Sequence, residues 1–193
     1  MPCSKRRPAG IAFCIPQGML FGENGFHQTS MSELAAEADM SVGLIYRAFK
    51  SKDEIIEAIV SADFDRKLTE FENLRERLRD EALTVRQTFE ELFQRTIEEN
   101  REALAFDILA EGFRNARVGK IIDESCQRFR DYFRAFIRTA NNRLSDEEVE
   151  GAAELALCCL LGLAHRNISR PKLGAAQTAR QSALMITMAL EGI

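Results

Sequence analysis

A repeat of apolar residues every three or four positions constrains this chain more than any other feature. It runs from Ser51 to Leu78 without an intervening glycine or proline. The apolar positions are Ile56, Ile59, Val60, Phe64, Leu68, Phe71, Leu74 and Leu78. This spacing places them on one face of a long α-helix. Because we find no strand-like alternation elsewhere in the sequence, we expect an all-α fold.

Three Ser-x-x-Glu motifs indicate where helices begin: Ser30–Glu33, Ser51–Glu54 and Ser145–Glu148. In such a motif the serine hydroxyl accepts a hydrogen bond from the N–H of the glutamate. The glutamate carboxylate in turn accepts one from the N–H of the serine. With the apolar spacing, these motifs predict helices over residues 30–38, 41–49, 51–78, 82–99, 102–115, 118–141, 146–167 and 173–190. A tight turn at Asp39-Met40 separates the first two.

Charge is distributed unevenly along the chain. Residues 1–52 hold six Lys or Arg against four Asp or Glu, a net charge of +2, whereas the whole chain carries −4 at pH 7. A slightly basic N-terminal segment on an acidic remainder is typical of a protein that contacts phosphate with one end only.

The sequence offers no chemistry for an enzyme. It has two histidines, His27 and His165, but no G-x-S-x-G motif, no glycine-rich phosphate loop and no spacing typical of metal ligands. We therefore expect no catalytic residues, no metal and no cofactor. Five cysteines without C-x-x-C spacing indicate reduced thiols. Together with the lack of a signal peptide or a membrane-spanning run, this favours a cytoplasmic protein.

The two short helices and the long one that follows have the order of a helix-turn-helix. Residues 25–52, GFHQTSMSELAAEADMSVGLIYRAFKSK, resemble the DNA-binding head of the TetR family. The residues that carry the resemblance are Gly25, Phe26, Thr29, Ser30, Leu34, Ala35, Asp39, Met40, Ser41, Gly43, Ile45, Tyr46, Phe49 and Lys52. Further along, Leu109-Ala110-Glu111 and Arg114-Asn115 are similar to a segment of the AcrR/BetI-like branch of that family.

The resemblance implies a two-domain organisation. Residues 1–52 would form a three-helix helix-turn-helix domain that binds DNA. Residues 53–193 would form a helical domain for ligand binding and dimerisation. The function it implies is a ligand-responsive transcriptional regulator, most commonly a repressor. It would bind a palindromic operator as a homodimer and be released by a small, mainly apolar molecule.

A recognition helix that begins near Ser41 would place its N-terminal face in the major groove. Val42 and Gly43 have little bulk, so the backbone can approach base edges, and the Tyr46 hydroxyl can reach a phosphate or a base. The helix start near Thr29 and Ser30 favours a phosphate, although both residues could equally serve only as helix caps. The predicted DNA-binding residues are Thr29, Ser30, Ser32, Ser41, Val42, Gly43, Tyr46, Arg47, Lys50 and Lys52.

Two departures from the family pattern bear on DNA binding. Ala48 stands where a histidine or similar group usually follows the tyrosine, which removes one possible phosphate contact. The expected first helix also contains Pro16 and Gly18 within residues 13–19. Since a proline inside a helix costs about 3 kcal/mol and a glycine about 1 kcal/mol, we expect this helix to be short or kinked.

The remaining predictions concern the larger domain. Aromatic residues of the middle helices either line a ligand pocket or simply fill the core. The last two helices either form a two-fold, four-helix dimer interface or pack only within one chain. The predicted pocket residues are Phe89, Phe93, Phe106, Phe113, Phe129, Tyr132, Phe133 and His165. The predicted interface residues are Ala153, Leu157, Leu160, Leu161, Leu184, Met185 and Met188.

Two other functions remain open at this point. Cys126, Cys158 or Cys159 could oxidise and change DNA affinity, which would make the chain a thiol-based regulator. The irregular first helix could instead leave a helical dimer with impaired DNA binding. The effector, the operator and the direction of regulation are not encoded in any motif of the sequence.

Overall fold

The computed structural model describes residues 28–37, 39–99 and 102–192. Every regular element in these ranges is helical, which confirms the all-α prediction. The α-helices are α1 (Met31–Glu37), α2 (Val42–Ala48), α3 (Lys52–Arg79), α4 (Val85–Glu98), α5 (Glu102–Arg114), α6 (Ala116–Ala140), α7 (Asp146–Ala164) and α8 (Ala175–Glu191). A short 3₁₀ helix, Arg166–Ser169, lies between the last two. The predicted irregular helix at residues 13–19 lies outside the described residues.

The Ser-x-x-Glu motifs begin helices as predicted, with one variation. The Glu33 carboxylate accepts the N–H of Ser30 at 2.6 Å, and the Ser30 hydroxyl accepts the N–H of Glu33 at 3.2 Å. The pair Ser145 and Glu148 repeats this exchange at the start of α7. At α3 the glutamate carboxylate accepts the N–H of Lys50 instead of that of the serine.

Two helix boundaries differ from the prediction by three residues. Helix α4 begins at Val85 rather than near residue 82, because Thr84 and Gln87 form a capping box of their own. Helix α7 ends at Ala164 rather than near residue 167, and the chain continues as the 3₁₀ helix. After that turn, Arg170 takes a left-handed backbone conformation with φ of 51°, which ends the helical path.

The described residues divide into two compact units. The head unit comprises residues 28–66 and 102–123, and the body unit comprises residues 67–99 and 124–192. Helices α3 and α6 contribute residues to both units. The division falls inside helices, whereas the predicted domain boundary lies between residues 52 and 53.

The core of the head unit is mainly aliphatic and contains buried side chains from α1, α2, α3, α5 and α6. On α1, α2 and α3 its buried side chains come from the faces that the apolar spacing predicts, but α5 buries Leu104 and Ile108 instead of the predicted face with Phe106 and Phe113. They are Leu34, Ala35, Ile45, Phe49, Ile55, Ile56, Ile59, Val60, Phe64, Leu104, Ile108 and Val118.

The largest fully buried side chains of the body unit are phenylalanines. The rings of Phe71 and Phe129 stack with centroids 4.8 Å apart, and those of Phe89 and Phe133 stack at 5.9 Å. Helix α4 packs on α8 and on α7, and α7 also contacts α8. In the described part of the chain, no helix combines the length and the apolarity that crossing a membrane requires.

Candidate nucleic-acid interface

Helix α2 has a buried side and an exposed side. Ser41 caps its start, with the hydroxyl accepting the N–H of Leu44 at 3.3 Å. Ile45 is fully buried and Phe49, directly after the helix, is 3 % exposed, so these two side chains fix the helix on the head unit. Tyr46, one position on from Ile45, is 55 % exposed. The helix therefore turns a defined face to solvent.

The first residues of that exposed face are small and accessible. Val42 is exposed, and a Cβ atom added to Gly43 would meet no heavy atom within 4 Å. Arg47 and Lys50 are exposed as well. The backbone at Gly43 can approach base edges, because no side chain covers it. The Tyr46 hydroxyl and the cations Arg47 and Lys50 can contact phosphates.

The turn before α2 is tight, as predicted. Asp39 adopts a positive φ of 50°, and the N–H of Met40 donates to the carbonyl of Ala35 at 2.9 Å. Asp is among the few non-glycine residues that tolerate this conformation. The turn sets the direction in which α2 leaves α1.

The start of α1 supports part of the predicted phosphate site. Ser30 and Ser32 are exposed. Glu33 is held by Ser30, and the hydrogen bonds from the backbone N–H and the hydroxyl of Ser30 lower the pKa of that carboxyl. Thr29 is only 1 % exposed. The prediction that Thr29 contacts DNA therefore needs correction, because its side chain is buried in the head unit.

Lys52 is half-buried at the first position of α3. Burial lowers the pKa of its ammonium group, while the charges of Asp53, Glu111 and Glu33 act in the opposite direction. Carboxylates of the protein itself therefore offset only part of the cost of placing this cation, half-buried, at a helix N-terminus.

The predicted pocket residues do not share one environment. Phe89, Phe93, Phe129 and Phe133 are buried in the body-unit core, where their rings contact one another or that of Phe71. A role for these four as pocket walls stays a prediction, since the rings pack directly on each other.

The other four pocket candidates lie elsewhere. Tyr132 is half-buried and its hydroxyl donates to Glu72 at 2.8 Å, and His165 caps the end of α7. Phe106 and Phe113 belong to the head unit, and Phe113 is 93 % exposed. The prediction that Phe113 lines a ligand pocket therefore needs correction, because its ring lies in solvent.

The predicted interface residues fall into two groups. Ala153, Leu157 and Leu160 are at most 7 % exposed within the single chain, so they belong to the intramolecular core and not to a dimer surface. Met185 and Met188 on α8 are 71 % and 61 % exposed. Leu161 is also exposed, whereas Leu184 is half-buried.

The sequence reasoning missed the residues that form the outer face of α7. Leu155 is 59 % exposed, and Cys158 and Gly162 are exposed as well. Gly151, Leu155, Cys158 and Gly162 are separated by four, three and four positions, so they lie on one face of the helix. This spacing is the sequence signal that could have identified the outer face.

The cysteines of the body unit differ in accessibility. Cys158 is exposed, while Cys126 and Cys159 are half-buried. Burial, followed by the effect of Cys158, raises the pKa of the Cys159 thiol. A raised pKa keeps this sulfur protonated and less reactive at neutral pH.

Comparison with known proteins agrees with this geometry. The family of bacterial regulatory proteins named after tetR matches residues 19–59, which include α1, α2 and the first turns of α3. The HTH-type transcriptional regulator UidR of Escherichia coli K12 is 30 % identical over 125 residues. That alignment covers 64 % of this chain and 62 % of UidR, so it spans less than two thirds of UidR.

Solved structures extend the likeness over nearly the whole chain. Salmonella enterica GusR is 29 % identical, with 94 % of this chain and 95 % of GusR covered, at a TM-score of 0.71. A transcriptional regulator from Rhodococcus sp. Rha1 shares the fold at a TM-score of 0.76 and 20 % identity, with 97 % of each chain covered. UidR and the Rhodococcus protein are both named as transcriptional regulators. Residues 19–59 therefore match the tetR family of bacterial regulatory proteins, and the chain as a whole is similar in fold to transcriptional regulators of known structure.

Proposed function

We propose that this chain is a ligand-responsive transcriptional regulator that binds a palindromic DNA operator as a homodimer. The observation that carries the proposal is the two-sided character of α2: Ile45 anchors it, and Val42, Gly43, Tyr46 and Arg47 face solvent. Within the chain, residues 1–52 bind DNA, and residues 53–193 bind the effector and the second subunit.

The exposed face of α2 suits the major groove. The absence of a side chain at Gly43 allows the backbone to approach the bases, and the methyl groups of Val42 can contact a thymine methyl. Tyr46 can donate to a phosphate oxygen, and Arg47 and Lys50 add sequence-independent attraction to the DNA backbone. Ser30 and Ser32 at the start of α1 can contact the neighbouring phosphates, and Lys52 adds a positive charge.

Dimerisation is supported by exposed apolar side chains on two adjacent helices. Leu155 and Leu161 on α7 and Met185 and Met188 on α8 are all exposed in the single chain. Exposed apolar surface of this kind on a soluble domain marks an interaction site. A two-fold axis through these helices would give a four-helix interface and half-sites about 34 Å apart, or a multiple of that spacing.

The effector site belongs to the body unit in this proposal. The phenylalanine-rich interior favours a small, mainly apolar ligand that binds after local rearrangement of the rings. The surface groove between α4 and α8 is a weaker candidate, since Arg86, Glu90, Gln94 and Arg180 line it with charge and polarity. The ligand would stabilise a head separation that does not fit successive major grooves, and release from the operator would end repression.

Selection from a pool of random DNA duplexes tests the proposal. The purified full-length chain should enrich a palindromic sequence, and a failure to enrich any sequence would refute the proposal and favour a helical dimer with impaired DNA binding. The chain has two tyrosines, which supply a variant and its matched control. Tyr46→Phe should weaken binding to the selected duplex at least tenfold, since a hydrogen bond to a charged group contributes about 1.5–3 kcal/mol. Tyr132→Phe should leave DNA affinity unchanged.

A thiol-based regulator is the second candidate, because Cys158 is exposed on α7. In that case hydrogen peroxide would change the affinity for the selected duplex, and Cys158→Ser would abolish the change. An affinity that is the same before and after peroxide treatment would exclude this candidate.

A further inference from the structure

The outer face of α7, formed by Gly151, Leu155, Cys158 and Gly162, is not covered by the chain itself. Leu155 is 59 % exposed, and Leu161 at the edge of the face is 36 % exposed. A Cβ atom added to either glycine would meet no heavy atom within 4 Å, so no other part of the described chain covers these two points. Apolar side chains that a single chain leaves uncovered mark a surface for another molecule.

The residues along this face have the same order from either end. A glycine stands at each end, Gly151 and Gly162, and a larger side chain follows inward, Leu155 and Cys158. The midpoint of the glycines and the midpoint of the larger pair both fall between positions 156 and 157. A two-fold dimer needs a surface that is complementary to itself in this way, whereas an unrelated partner gains nothing from it. The order of residues therefore favours a second copy of this chain.

The charges along α7 point to the orientation of that second copy. Residues 146–154 contain five acidic residues and no cation, whereas Arg170 and Lys172 follow in the connection to α8. Glu147 on the outer face, Arg170 and Lys172 are all exposed, and none of their side chains is paired with a described residue. A parallel pair would place the two acidic starts side by side, where like charges repel. An antiparallel pair places each acidic start beside the cationic end of the other helix.

We propose that α7 packs antiparallel against α7 of a second copy of this chain, with the two-fold axis between positions 156 and 157. The inference rests on the proposed homodimer and specifies how its two subunits meet. Gly151 faces Gly162 of the partner subunit, and Leu155 packs on Cys158 of the partner subunit. The glycines allow the two helices to approach closely at both ends of the contact.

Disulfides between introduced cysteines can measure this register. Helices that pack side by side have axes about 8–10 Å apart and Cα atoms about 2.3 Å from each axis. Facing Cα atoms therefore lie roughly 4–6 Å apart, a distance that a disulfide spans. Eleven positions separate Gly151 from Gly162, so two copies of Gly151 would lie about 16 Å apart along the pair. A disulfide between two identical glycine positions is thus out of reach.

The first test uses the full-length chain with its five cysteines replaced by alanine. Gly151→Cys with Gly162→Cys is compared with each single variant by oxidation with diamide and electrophoresis without reductant. Most chains of the double variant should run as a covalent dimer, and both single variants should run as monomers. A mixture of the two single variants should cross-link again, because each subunit supplies one of the two facing cysteines.

A second pair leaves both glycines unchanged. Leu155→Cys is introduced into a chain that keeps Cys158 and lacks the other four cysteines. This variant should form the covalent dimer faster than the same chain with Cys158 alone. The reason is that Cys158 faces position 155 of the partner subunit, whereas two copies of Cys158 are offset by three positions, about 4.5 Å.

Light scattering before oxidation keeps the inference separate from the proposed homodimer. Dimeric variants in which neither cysteine pair cross-links would overturn the antiparallel register and leave the homodimer in place. Cross-linking of a single glycine variant would overturn it in favour of a parallel pair. If the introduced cysteines make the glycine variants monomeric, equal rates for Leu155→Cys and its control would overturn the register. A wild-type chain that is monomeric would remove the homodimer and the inference together.

Discussion

Arg117 at the start of α6 places its Nη1 atom 3.3 Å from Oε1 of Glu57 on α3. The arginine side chain is 70 % exposed and the glutamate only 20 %. The pair connects the junction of α5 and α6 to α3, the helix that directly follows α2. A partly exposed pair of this kind is screened by solvent, so its contribution to stability should be small.

A double-mutant cycle of Arg117→Ala and Glu57→Ala should give a coupling energy of about 0.2–1 kcal/mol. Urea unfolding of the two single variants, the double variant and the wild type supplies the four free energies. A coupling above about 3 kcal/mol would mean that the pair behaves as a buried ion pair, contrary to the exposure of Arg117.

The same junction depends on a close approach of two glycines. A Cβ atom on Gly119 would lie 2.7 Å from the carbonyl oxygen of Gly112, and backbone atoms cannot move aside as a flexible side chain can. Gly119→Ala should therefore lower the free energy of unfolding by about 1–3 kcal/mol, even though alanine is the better helix former. Urea unfolding measures the change.

Gly43 on α2 provides the matched control, since a Cβ atom there would meet nothing within 4 Å. Gly43→Ala should keep or raise stability by up to about 1 kcal/mol, because alanine is favoured in a helix. If Gly119→Ala were as stable as Gly43→Ala, the close approach at the junction would be disproved.

A carboxylate in the body unit should make stability depend on pH. The hydroxyl of Tyr132 donates to Glu72 at 2.8 Å and the guanidinium of Arg75 donates at 2.6 Å, and both lower the pKa of Glu72 below its usual 4.5. A lowered pKa in the folded state gives stability that is complete above the usual pKa. That stability is lost as the pH falls through the lowered value.

In the Glu72→Gln variant, the free energy of unfolding should therefore fall less steeply than in wild type as the pH drops below about 5. Near neutral pH, the free energies of the variant and of wild type should depend on pH in nearly the same way. Tyr132→Phe, which removes the principal donor, should flatten the same region in part. Urea midpoints from about pH 3 to 7 test both variants. The same acid loss in wild type and Glu72→Gln would rule this carboxylate out as its source.

Much of the fold could be predicted from local patterns, because a helix needs only its own residues to form its hydrogen bonds. The apolar spacing placed α3 and α6 to within two residues at each end, and α2 begins next to Ser41 as predicted. The start of α4 was misplaced because Thr84 and Gln87 use another form of the same capping box. The end of α7 was misplaced because no glycine or proline marks His165.

The faces of α7 show why a site is harder to predict than a helix. This helix has two apolar faces, one with Ala153 and Leu157 and one with Leu155 and Cys158. Periodicity alone does not say which of them meets α4, since that depends on contacts far along the chain. On α2 the buried face could be predicted, because Ile45 and Phe49 lie four residues apart and the polar residues Tyr46 and Arg47 fall between them.

Helix α8 exposes two methionine side chains that can be tested as part of the dimer interface. Met185 and Met188 are exposed in the single chain, so Met185→Glu with Met188→Glu should leave the helices folded. If these side chains form the dimer interface, the facing charges repel and remain unpaired on burial. The variant should then be monomeric by light scattering at concentrations where the wild type is dimeric. Its affinity for a palindromic duplex should fall toward that for a single half-site, because the avidity of two heads is lost.

Two controls separate this result from unfolding or from a general effect of charge. Ala176→Glu, at an exposed position near the start of α8, should remain dimeric. Ala153→Glu should unfold the chain, because it would place a charge at a position that is fully buried. A dimeric Met185→Glu, Met188→Glu variant would show that the interface lies elsewhere. An Ala153→Glu variant that is folded and monomeric would return the interface to the inner face of α7.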